Sequence, residues 1–462
     1  MRSIIITRII HQNHLTRGAG LVDSRPDRAA DCARAVVAWD DNTHITFVWH
    51  ELHSTQSYAV QKLANRLPAA IILLLLALTP IFNIGETGGR LLPGAFEQPR
   101  NFFAFQTPIW IKAIKDIGFW ALMALGVARF LVAPKPPWQK WVGPALLLFA
   151  VMAALTATIL DPSGVTPTQL YAGLRWALPL FLAFGLMGFL DAKDLRRIAA
   201  LTSALLLLNL SAQLFQFVNH LSVPAAGASS LFPRVGGFFY IPSTTGFFAC
   251  VAAFWANAYL DGSRGKWLAL AANIAAPVSI ILAASAGAIA TWLVMMFFLA
   301  FKNRWLKQRL LLLPIFAALI FFNINALSAR TDILSYSAPK RLEIFVKAAQ
   351  SIGPVSTHFG MGTNAGVILN RKLGSIDESV ITDSFYTSAI INLGWVGGLV
   401  VLGLMAALAW LCLRTGQSAP IAFIALYALM ALGTVFTEAF PMNMLFAAWL
   451  GAEIKSIKPN NQ

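Results

Sequence analysis

Ala145–Leu160 reads Ala-Leu-Leu-Leu-Phe-Ala-Val-Met-Ala-Ala-Leu-Thr-Ala-Thr-Ile-Leu, without one ionisable side chain. Ala69–Leu78 repeats the pattern, and similar runs recur to the end of the chain. A bilayer span needs roughly 20 mostly apolar residues. These runs, with their flanks, supply that length. Apolar residues make up 57% of the 462 positions and charged residues 12%. A soluble domain carries about 25% charge. Phe (33) and Trp (14) also far outnumber Tyr (7). Such a chain cannot cover itself with water-compatible groups, and an all-α polytopic membrane protein is expected.

From Leu67 onward the runs divide into twelve expected spans, at about 68–84, 108–132, 142–160, 172–190, 198–216, 240–260, 267–283, 286–302, 310–327, 387–412, 418–437 and 440–454. With the N-terminus inside, the cytoplasmic connections hold Lys135–Lys140, Lys193 with Arg196 and Arg197, Arg264 with Lys266, Lys302 to Arg309, Arg414, and the tail with Lys455 and Lys458. Every one is basic, as the positive-inside bias requires. One miscounted span would put a basic cluster outside, so the parity predicts both termini in the cytoplasm. The same clusters account for the net charge of +15. They form a topogenic pattern and imply no nucleic-acid partner. Cys32, Cys250 and Cys412 are scattered, which excludes a disulfide framework or a cysteine-based metal site.

Residues 1–66 mix Arg, Asp and His without helical or strand period. Two readings stay open for them, a disordered cytoplasmic extension or residues upstream of the true start. The transmembrane domain is expected at 67–462. Two outside segments are long, 217–239 and 328–386, the second forming a large loop between spans nine and ten. Long loops are often functional. The larger one holds an amphipathic helix candidate, with Leu342, Phe345, Ala349 and Ile352 on one face. It is expected to lie on the membrane surface or to cap the bundle. No internal or inverted repeat is evident.

Outside basic residues near the membrane need a reason. Arg175 stands one turn into span four, Arg234 precedes Gly236-Gly237-Phe238 at the mouth of span six, and Arg330 and Arg341 lie in the large loop. Each alone is explained by snorkelling to lipid headgroups. Several on one face point instead to an anionic ligand, because guanidinium offers a fixed fork of donors to phosphate oxygens. Asp377, Glu378, Asp383 and Glu438 share that face. His358-Phe-Gly-Met-Gly-Thr-Asn-Ala-Gly366 lacks the lysine and the strand–helix setting of a nucleotide loop. It is either a turn or a set of backbone N–H groups aimed at an anion. His358 has no companions that would make a metal site.

Arg234-Val-Gly-Gly-Phe-Phe-Tyr-Ile-Pro-Ser-Thr-Thr-Gly resembles the Arg-x-x-Gly-x-Phe-x-x-Pro-Asn segment of the bacterial O-antigen polymerase and ligase superfamily. Arg341-Leu-Glu-Ile-Phe, followed by Gly360-Met-Gly362-Thr, resembles the large periplasmic loop of that family. Asp383-Ser-Phe-Tyr386 and Leu393-Gly-Trp-Val-Gly-Gly resemble the end of that loop and the next span, and Ser285-Ala-Gly287 a short Ser-rich turn. The likeness covers about 230 to 440. Three positions depart from the pattern. Ser243 stands for the usual Asn, Ala286 for an Arg, and Asp383 where ligases typically carry His. The last favours a polymerase.

The resemblance implies a GT-C-like inner-membrane glycosyltransferase that needs no metal or cofactor. It would move a glycan from an undecaprenyl-diphosphate donor onto a sugar hydroxyl of another lipid-linked unit, at the periplasmic face. Arg234 and Arg341 would hold the leaving diphosphate, and Asp383 would take the acceptor's proton, with Glu378 in reserve. Arg175, Arg330, Gly360, Gly362, Tyr386 and Glu438 complete the expected substrate-binding set. The lipid bilayer, a flippase and a chain-length regulator are the implied partners. Two other readings are a ligase that transfers glycan to lipid A-core and a polysaccharide transporter. A transporter should place charges near the bilayer midplane; here they collect at one face.

Overall fold

The computed structural model describes residues 66–83, 109–132, 139–160, 166–219, 235–239, 242–260, 265–302, 342–343, 346, 350, 352–361 and 384–453. All belong to the compact unit Asn65–Gln462. Regular structure among the described residues is helical, with no strand. In chain order the helices are α1 (Arg66–Ala77), α2 (Ile109–Val132), α3 (Gln139–Leu160), α4 (Pro167–Gly185), α5 (Ala192–Val218) and α6 (Pro242–Tyr259). Then follow α7 (Lys266–Ala283), α8 (Ala286–Lys302), α9 (Phe385–Thr415), α10 (Ser418–Gly433) and α11 (Met442–Glu453). They stand where the apolar runs predict spans. The expected span at 310–327 and the N-terminal extension lie outside the described residues.

Three helices, Ala192–Val218, Lys266–Ala283 and Phe385–Arg414, are long and apolar enough to cross a membrane, and α1, α8 and α10 are shorter apolar helices. The chain is a helical, membrane-embedded protein. Leu148, Ile159, Leu399 and Trp410 turn outward, as side chains do when hydrocarbon is the solvent.

Helix α6 is the centre of the bundle. Every residue from Thr245 to Asn257 is buried, and α5, α7, α8, α10 and α11 pack around it. A helix apolar on all sides must be surrounded. Lipid provides no hydrophobic drive between helices, so close packing over small residues replaces it. Ala249, Ala252, Ala253 and Ala256 of α6 and Ala269, Ala272, Ala275 and Ala276 of α7 are all buried. Asn257 and Asn273 lock the same pair of helices by reciprocal amide hydrogen bonds of 2.8 and 3.1 Å.

Two helix starts lie well ahead of the apolar runs. Helix α4 begins at Pro167, not 172, because Thr166 and Gln169 form a reciprocal capping box of 3.3 and 2.7 Å. Asp191 and Asp194 do the same for α5, which begins at 192 and not 198. Arg175 therefore sits more than two turns inside its helix. In the large loop, positions 342, 343, 346 and 350 are helical and outward-facing.

Candidate functional site

The site is built on two segments that leave the helices and return into the bundle. The first is Val235-Gly236-Gly237-Phe238-Phe239. The run 217–239 reads as an outer loop, yet Val235, Gly236, Gly237 and Phe239 are buried. Buried backbone needs partners, and α5 supplies them. Gln216 closes both sides of Gly237, accepting its N–H at 2.7 Å and donating to its carbonyl at 2.9 Å. Asn209 accepts from the Phe238 N–H at 2.9 Å. Gln213 donates to the Val235 carbonyl at 3.0 Å and the Ser279 carbonyl at 3.1 Å. The Ser279 hydroxyl donates back to Gln213, and the Thr245 hydroxyl donates to the Gly236 carbonyl. Val235 itself donates to the Leu282 carbonyl at the end of α7, 3.1 Å away. Gly237 has φ of +63°, and a Cβ there would meet the side chain and the main-chain oxygen of Asn209. Only glycine fits.

The second segment is 353–361, from the middle of the large loop. It docks into a break in α9. Gly394 has φ of +77° and ψ of 172°, which interrupts the helical ladder. The break strands the N–H groups of Trp395 and Val396 and the carbonyl of Ile391. The segment satisfies all three. The Gly353 carbonyl accepts from Trp395 at 3.3 Å, the Pro354 carbonyl from Val396 at 3.2 Å, and the Ser356 hydroxyl donates to Ile391. Phe359, 1% exposed, seats on Gly173 of α4. The Gly360 N–H is taken by Asn392 at 2.9 Å and that of Met361 by the His358 carbonyl at 2.9 Å. At these two positions the Gly-rich run is a docked turn, with its N–H groups engaged inside the protein.

Further contacts join the helices around these segments. Gly246 abuts Ala288 and Ser285, and Gly433 abuts the Phe247 ring. Phe436 meets Phe385 at 4.6 Å between ring centres, and Phe385 stacks on Trp176 at 5.6 Å. Phe440 contacts Phe82 and Phe119, with the Lys115 ammonium 5.5 Å from its ring. Thr79 Oγ1, Trp176 Nε1 and Thr437 Oγ1 are buried without a hydrogen-bond partner among the described residues. Such groups are rare in folded proteins.

Of the residues singled out from the sequence, Arg234, Arg330, Arg341, Gly362, Glu378 and Asp383 lie outside the described residues, as does Asp377. Arg234 is attached to the clamped Val235. Asp383 precedes Ser384, which occupies the N-cap position of α9 and donates to the Ala431 carbonyl at 3.0 Å. Tyr386 donates its hydroxyl to the Ala428 carbonyl at 3.3 Å. Glu438 is half-buried in the turn between α10 and α11, its N–H donating to Val435. Arg175 pairs with Asp116 of α2 at 3.1 Å. Among the described residues no cluster of His, Cys, Asp or Glu could hold a metal.

Asn209, Gln213 and Gln216 escape a reading that counts apolar runs. Their signal is the spacing: amides three and four residues apart put a polar stripe on an otherwise apolar helix, and such a stripe needs a partner. Comparison with protein-family models, curated proteins and solved structures finds no match.

Proposed function

We propose that the chain is a GT-C-like glycosyltransferase of the bacterial inner membrane, with twelve spans, both termini cytoplasmic and residues 328–386 outside. It polymerises lipid-linked repeat units, transferring a glycan from an undecaprenyl-diphosphate donor to a sugar hydroxyl of a second unit. The observation that carries this reading is the clamped turn at 235–239. Six side-chain or main-chain groups from three helices fix a backbone that directly follows Arg234. Such support holds the main chain from Val235 onward to small tolerances.

The chemistry fits the residue types. Breaking the anomeric C–O bond releases a diphosphate, and arginines stabilise its developing charge. The acceptor hydroxyl must lose a proton, for which a carboxylate is suited. Asp383 is the proposed base. Ser384 occupies the N-cap position of α9 but its hydroxyl donates to the Ala431 carbonyl instead of capping the helix, so Asp383→Asn is what separates a base from a cap. The activated donor supplies the driving force.

Arg→Lys keeps the charge and loses the bidentate fork. Losing a contact of this kind costs roughly 2.7–4 kcal/mol, about 10²–10³ in rate. In cells that make the glycan, Arg234→Lys and Arg341→Lys at normal protein levels should collapse the polymer ladder on gels to single repeat units. Full-length polymer at the wild-type rate from both variants would overturn the reading.

A further inference from the structure

The main-chain groups of α9 that the 353–361 segment serves have second partners inside α9 itself. In an unbroken helix the Trp395 N–H bonds to the Ile391 carbonyl and the Val396 N–H to the Asn392 carbonyl, four residues back. Here the Ile391 carbonyl is taken by the Ser356 hydroxyl, and the two N–H groups go to Gly353 and Pro354 at 3.3 and 3.2 Å. Lifting the segment away strands none of these groups, because each can return to the helical ladder. Only Gly394 has to move, from φ of +77° and ψ of 172° into the helical region. Glycine makes both conformations accessible. Gly397 and Gly398 follow it, and a helix so rich in glycine gives up little by breaking.

The segment is seated closely but by few groups. Phe359 occupies the space that a side chain at Gly173 of α4 would take, and a Cβ on Gly360 would collide with the Gln169 carbonyl of the same helix. A Cβ on Gly394 would collide with the Pro354 carbonyl. Glycines on α4, on the segment and on α9 thus let it bridge the two helices. Its other side is open: Gly353, Pro354, Val355 and His358 are exposed. Phe359 is its apolar anchor, 1% exposed.

We infer that residues 353–361 are a strap that exchanges between this docked state and a released state in which α9 runs unbroken through Gly394. Release uncovers Gly173 of α4 and Asn392 of α9, the two points at which Phe359 and Gly360 are held. Both states pair the same α9 main-chain groups, so two packings of one sequence lie close in free energy and the element is bistable. The exchange is a property of the strap and α9 alone and requires no particular substrate.

Gly394-Trp395 is the one Gly-Trp pair in the sequence. A perdeuterated full-length chain, isotope-labelled in the glycine carbonyls and the tryptophan amide nitrogens, therefore gives a single carbonyl–amide correlation by NMR in detergent micelles. Its carbonyl shift tells a broken Gly394 from a helical one. Wild type should show the docked signal in exchange with a minor signal at a helical shift. Ser356→Ala removes a hydrogen bond of the docked state alone and should raise the minor population about fivefold. Phe359→Ala removes the anchor and should make the helical signal the major one. A second signal at an unfolded shift would show local melting in place of a re-formed ladder and overturn the strap. So would a single docked signal without exchange in wild type and both variants. If Phe359→Ala does not fold, wild type and Ser356→Ala carry the test on the same two criteria.

Discussion

Gln216 commits both ends of its amide to one residue, Gly237, and both groups it serves are buried. Gln216→Met preserves length and volume but leaves a buried N–H and a buried carbonyl unpaired. A buried polar group without its partner costs about 1–3 kcal/mol. The variant should lower thermal stability by that order in detergent and shorten the glycan product, read by a melting curve and a polymer gel on the same preparations. Gly237→Ala should be worse, because Asn209 blocks the Cβ with main chain as well as side chain. At the base, Asn is as good a cap as Asp but takes up no proton at neutral pH. Asp383→Asn should therefore give a folded protein that accumulates single repeat units. Normal polymer from that variant would move the base to Glu378. At this scale the sequence shows the glycines of the 236–237 turn but not their partners. Asn209, Gln213 and Gln216 are twenty or more residues from what they hold, and no local pattern connects a helix face to a distant turn.

At the scale of elements, α9 is the decisive case. Leu393-Gly-Trp-Val-Gly-Gly reads as the start of an ordinary span, because glycine is common in membrane helices. The groups stranded by the break at Gly394 are taken up by the 353–356 segment, which is distant in sequence. Backbone outside a helix is tolerated at membrane depth where protein buries it. Gly394→Ala puts a Cβ against the Pro354 carbonyl and forces an unfavourable φ. The ladder should close or the segment should leave, and amide exchange over 353–361 should rise at least tenfold relative to α6. Unchanged exchange would show that docking does not depend on the break. The capping boxes tell the opposite story. Thr166-Pro-Thr-Gln169 carries its start signal in four consecutive residues, so the true beginning of α4 was legible locally. Apolar counting passed over it because Thr and Gln are polar.

At the scale of the molecule, helix positions were legible because bilayer thickness and backbone pairing leave few alternatives. Orientation rests on the basic connections alone. Cysteine placed at Ser375 should react with an impermeant thiol reagent in intact cells with a permeabilised outer membrane, and cysteine at Gly416 should not. The reverse pattern would invert the topology and put the clamped turn at the cytoplasmic end. The whole scheme, from the fixed turn to the charge of the leaving group, requires that this chain by itself joins lipid-linked units. The direct measurement uses the purified full-length chain in liposomes, with undecaprenyl-diphosphate repeat units extracted from the producing cells and no nucleotide. The expected result is a ladder of lipid-linked oligomers that grows with time in wild type and is absent with Arg234→Lys. Repeat units that stay single, or that cross the bilayer without being joined, would contradict it.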